Sequence, residues 1–92
     1  MILHWDAVNL RKIQKHGLAV EDVEEALADN RRLTLRTKTG QDAKRYKVIG
    51  KTVAGDFVRV ILGITQNGDP RVVTAFPAPD ADIRAYRTKN RR

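Results

Sequence analysis

The 92-residue chain has no cysteine, which excludes a disulfide framework and any thiolate metal site. Its two histidines, His4 and His16, have no further histidine or carboxylate at ligand spacing, so no metal site is expected. Aromatic residues make up only 5% of the chain, too few for a multi-ring platform on which single-stranded nucleic acid stacks. There is no Gly-rich phosphate loop, because Gly50-Lys51-Thr52 lacks the upstream glycine of a P-loop. The longest apolar run, Val60 to Ile64, is far shorter than a membrane span. The opening MILHWDAVNLRK lacks the charged and apolar regions of a secretory signal. These absences lead to the expectation of a cytoplasmic protein with no cofactor and no membrane partner.

What is present is positive charge, unevenly placed. The formal net charge is +7. Residues 1–30 hold three Lys/Arg against six acids, a net −3, whereas residues 31–92 hold fifteen against five, a net +10. Charge segregated in this way attracts an anionic partner, and a phosphate backbone is the first candidate. The competing reading is a basic domain with solvated charge. A hydrophobic content of 41% suits one small core, and the expected organisation is a single domain over 1–88 with a basic tail, 89–92.

The hydrophobic pattern predicts two helices, a four-stranded antiparallel meander and a C-terminal helix. Asp6 caps a first helix to about Lys15, with Ala7, Leu10 and Ile13 on one face and His16-Gly17 as its stop. Val20, Val23, Ala26 and Leu27 mark a second helix, with Glu21 and Asp22 in its first turn. Strands follow at RRLTLRTK, at Lys44–Gly50, at Phe57–Thr65 and at Arg71–Phe76, and the Asn67-Gly68 pair signals the last hairpin. Ile2–Trp5 is a further candidate edge strand. Pro77 and Pro79 stop the meander, Asp80 offers a cap, and Ala81–Thr88 reads as the last helix. Helices segregated from strands give an α+β fold, and the expectation is helices on one sheet face with the other, basic face open.

Trp5-Asp6, Asn9, Lys15-His16-Gly17-Leu18 and Glu24-Glu25-Ala26 together resemble the opening of the BrnT-type toxins. Arg45 with Gly50-Lys51-Thr52 and Gly55 is similar to that family's central pattern. Arg71-Val72-Val73-Thr74-Ala75 and Tyr86 match its last strand and last helix. The resemblance implies a RelE-like fold, a metal-independent ribonuclease activity, RNA as substrate and a cognate antitoxin as protein partner, with an oligomer in that complex left open. The chain departs from the pattern at Ala19, where the family has a capping Ser, and at Lys44, where it has an acid. It departs again at Phe76, where the family has an arginine, and at Asp82, where it has a glutamate. The alternative is therefore a catalytically silent RNA- or partner-binding domain.

Metal-free RNA cleavage requires removal of the 2′-hydroxyl proton, stabilisation of charge on the phosphorane and protonation of the leaving oxygen. Arginine suits the middle task, because its planar fork holds two phosphoryl oxygens and stays charged. Arg45 and Arg71, which match family positions, are the first catalytic candidates. Lys47 shares a strand face with Arg45 and joins them as a phosphate contact or proton source. Lys51, Arg59 and Tyr86 are candidate RNA-binding residues. The structural alternatives are solvated strand charge for the cations, helix capping for His16, a packing role for His4, and core or interface packing for Tyr86.

Overall fold

The computed structural model describes Leu3 and residues 5–37, 45–65 and 67–91. The expectations for Ile2, His4, the turn at 39–42, Lys44, Gln66 and Arg92 lie outside these residues. The element order is α1 (Ala7–Lys15), α2 (Val20–Ala28), β1 (Leu33–Arg36), β2 (Arg45–Lys51), β3 (Phe57–Ile64), β4 (Pro70–Pro77) and α3 (Asp80–Lys89). The strands form one antiparallel sheet in the order β1-β2-β3-β4, as the α+β meander requires. Leu3 and Trp5 are not strand; they pack, partly buried, against the core.

Both ends of α1 are closed by their own residues. The Asp6 carboxylate accepts from the N–H groups of Val8 at 2.9 Å and Asn9 at 3.0 Å, and the Asn9 side chain accepts from the Asp6 N–H at 2.8 Å. At the other end Gly17, at φ 77°, lets its own N–H reach the Gln14 carbonyl while that of Leu18 reaches Ile13. At α2, Ala19 has no side chain with which to cap, and the Asp22 carboxylate accepts from the Ala19 N–H at 2.9 Å instead.

The two helices bury Ile13, Val23, Ala26 and Leu27 against Val48, Val58, Val60, Leu62, Val72 and Ala75 of one sheet face. Val72 and Ala75 are three apart, a spacing that simple alternation would put on opposite faces. Ile61 pairs with Thr74 and Leu62 with Val72, so Val73 is an extra residue in β4 that resets the alternation. Gly50 sets how closely α2 approaches: a Cβ there would lie 2.0 Å from the Ala26 carbonyl oxygen.

The second face is partly covered rather than open. Lys47, Ile49 and Arg59 alternate with the core residues of β2 and β3, and the Asp82 side chain on α3 binds both Lys47 and Arg59. The C-terminal helix therefore packs on the opposite face from α1 and α2, mainly over β1 and β2. There Ile49 is fully buried, outside the main core. The sequence expectation placed all the helices together because it read Asp82 only as a shortened acid. Both ends of α3 also shift: it begins one residue earlier, with Pro79 at the N-cap position and no side-chain cap, and it runs one residue further, to Lys89, where its end is tied down. Lys89 Nζ donates to the Arg32 carbonyl at 2.7 Å and Asn90 Nδ2 to the Arg31 carbonyl at 3.0 Å, so a free tail cannot begin at Lys89.

Candidate nucleic-acid interface

Register brings the two foremost candidates into one line. Arg45 on β2 pairs with Gly63 on β3, and Gly63 pairs with Arg71 on β4. Three neighbouring strands place the two arginine Cα atoms roughly 10 Å apart, with no side chain on the residue between them. Arg45 has no acidic partner among the described residues. Arg71 donates to the Asp6 carboxylate at 2.6 Å, both side chains being about two-fifths exposed (41% and 42%). The Asn9 N–H, followed by the Arg71 guanidinium, holds the Asp6 carboxyl below its ordinary value. An ion pair this exposed is worth little and exchanges readily for another anion.

Lys47 and Arg59 are placed differently. Each side chain is one-quarter exposed, and both turn to Asp82, Lys47 Nζ at 3.3 Å and Arg59 Nε at 2.5 Å. Burial pushes the Asp82 carboxyl upward, but the Arg59 hydrogen bond and charge, reinforced by Lys47, outweigh it and leave the group below its usual value. One carboxylate thus neutralises part of the charge that the sequence assigned to an open face. The Arg59 guanidinium also lies over the Phe76 ring, 5.2 Å from its centroid, and His16 approaches the same ring at 5.5 Å.

Tyr86 is buried and donates its hydroxyl to Asp29 Oδ2 at 2.6 Å, and its ring meets Phe57 edge-on. Burial, then the Asp29 carboxylate, push the phenol up to about 12. A phenol so held is occupied within the fold, so the packing alternative describes Tyr86 better than the RNA-binding one. Asp29 also accepts from the N–H groups of Arg31 and Lys51, each at 2.9 Å. These bonds outweigh its own burial and keep it ionised below its ordinary range. This carboxylate ties together the end of α2, the end of β2 and α3. Lys51 is exposed, with Nζ 5.5 Å from the Phe57 ring centroid, and its ammonium forms no ion pair among the described residues.

The motif residues divide in the same way. Gly50 seats α2, and Thr52 Oγ1 accepts from the Asp56 N–H to close the hairpin. Asn9 completes the α1 cap and donates to the Val72 carbonyl; His16 is the C-cap residue of α1. These are scaffold roles. The residues that sequence reasoning missed are Asp29 and Asp82, which organise the cations. Asp82 and Tyr86 stand four apart on a helix, both facing inward; that spacing of a carboxylate and an aromatic was the available signal. Among the described residues no group of three metal-binding side chains comes together, and no helix is long and apolar enough to cross a membrane. No family model matches the chain, and no curated protein matches it.

Proposed function

We propose that this chain is an RNA-binding module of the BrnT-like toxin type, a cytoplasmic ribonuclease that acts without metal and is restrained by a cognate antitoxin. The observation that carries this reading is the row Arg45–Gly63–Arg71. Two arginine positions flank a residue without a side chain, with the Val73 Cγ2 methyl beside it, so guanidinium forks turned inward reach a phosphate near Gly63 from both sides. In the free protein Arg71 is paired with Asp6 at the N-terminus of α1, and an RNA phosphate replaces that carboxylate at small cost. The antitoxin of this reading brings an acidic segment to the same face.

A second reading, a silent binder of RNA or of a protein partner, is favoured by one observation. Lys47, the candidate proton source, is engaged by Asp82. Labelled RNA incubated with the protein in excess EDTA separates the two. Cleavage by the wild type that disappears in the Arg45→Ala/Arg71→Ala double variant is expected. Salt-sensitive binding with every RNA molecule intact selects the silent binder.

A further inference from the structure

We propose that Phe76, His16 and Arg59 form a stacking subsite for one unpaired base, so that the RNA lying along β3 is single-stranded. The inference rests on the reading of the arginine row as a phosphate site and extends it along the sheet. α3 lies mainly over β1 and β2, and on the β3–β4 half of the second face Arg59, Ile61, Arg71, Thr74 and Phe76 are each partly exposed. Along it the paired positions run from Gly63–Arg71 through Ile61–Thr74 to Arg59–Phe76. Gly63 lies four positions along β3 from Arg59, roughly 13 Å, close to the length of an extended dinucleotide.

At the far end of that strip three elements converge on one ring. Phe76 on β4 is half-buried, and the Arg59 guanidinium from β3 stands over it at 5.2 Å. His16, the exposed C-cap residue of α1, meets it at 5.5 Å with the rings inclined by 51°. At that inclination the two rings are not stacked on one another, and both are at least partly exposed. A planar base that aligns with Phe76 gains offset stacking on that ring, with the exposed His16 imidazole at its edge. The Arg59 charge, fixed by Asp82 at 2.5 Å, stands over the same ring and polarises it. A ring in place of the arginine expected from the resemblance thus exchanges a phosphate contact for a base contact. A duplex, whose bases are already stacked on one another, gains nothing at this point.

The test is fluorescence anisotropy with a short labelled single-stranded RNA, and with the same RNA annealed to its complement. Phe76→Leu, which keeps apolar bulk and removes the ring, is expected to bind the single strand about tenfold more weakly and the duplex unchanged. Phe76→Tyr is expected to bind both as the wild type does, and His16→Ala to weaken the single strand by a smaller factor. RNA carrying abasic positions is expected to bind the wild type and Phe76→Leu alike. Single-strand affinity unchanged in Phe76→Leu, an equal loss on the duplex, or Phe76→Tyr as weak as Phe76→Leu would overturn the subsite. If binding depends on Arg45 and Arg71 but not on Phe76, the subsite alone fails. If it is independent of the two arginines, the reading beneath it fails as well.

Discussion

Gly50→Ala is expected to destabilise the fold by at least about 3 kcal/mol. The added Cβ would lie 2.0 Å from the Ala26 carbonyl oxygen and 2.6 Å from its carbonyl carbon, both backbone atoms of α2 that no rotamer change can move. Relief requires α2 to lift from the sheet, and lifting it exposes Val23, Ala26 and Leu27, which are now buried. A domain of this size holds on the order of 5–10 kcal/mol in total, so one methyl group removes a large fraction. Urea unfolding followed by circular dichroism measures it as a fall in midpoint. Gly63→Ala is the control, since its Cβ meets only the Val73 Cγ2 methyl, at 3.3 Å, a side-chain end that can give way. Equal costs at the two positions would mean that α2 is not seated on β2 at Gly50.

Asp82→Ala is expected to move stability and nucleic-acid affinity in opposite directions. The carboxylate is nearly fully buried and holds Lys47 and Arg59 together while anchoring α3. Its removal leaves two partly buried cations side by side and is expected to cost about 2–3 kcal/mol. The same change releases both cations on the face proposed to meet RNA, so binding tightens and its salt dependence steepens. The acid response has a matching sign. Asp82, Asp29 and Asp6 all ionise more readily in the folded protein than their ordinary value of 3.8. The unfolded chain therefore binds protons first as pH falls, and the stability these groups contribute is complete above that value and lost below it. Asp82→Ala is expected to show a shallower loss of stability between pH 5 and pH 3 than the wild type. An identical acid profile would remove Asp82 from its structural role.

The meander was legible because its signals are local. Alternation marks each strand, and Asn67-Gly68 and the apolar run of β3 are each contained in a few residues. The first two helices were legible for the same reason, with Asp6 at the start of α1 and Gly17 just past its end. The side of the sheet taken by α3 was not. It depends on Asp82 reaching Lys47, 35 residues away, and on Tyr86 reaching Asp29, 57 residues away; the local pattern of Ala81–Thr88 shows only that Asp82 and Tyr86 share a helix face, not which partners they reach. The β4 bulge was hidden too, since Arg71–Phe76 reads as plain alternation until Val72 and Ala75 must both face the core. Among the candidate site residues, Arg45 and Arg71 were found one at a time from strand position and resemblance. Their common row through Gly63 appears only once the register is known.

The most direct test of the proposed interface is the salt dependence of RNA affinity, compared between the wild type and the Arg45→Ala/Arg71→Ala double variant. Each phosphate contact to single-stranded RNA contributes about 0.7 to the slope of log affinity against log salt. Loss of both arginines is therefore expected to reduce the slope by about 1.4 and to weaken binding at low salt, with the unfolding midpoint little changed. A charge-matched pair on the outer face of α1, Arg11→Ala with Lys12→Ala, is expected to leave the slope close to that of the wild type. An unchanged slope in the sheet variant, with the loss appearing in the α1 variant instead, would contradict the assignment of the RNA-binding surface to the second face of the sheet.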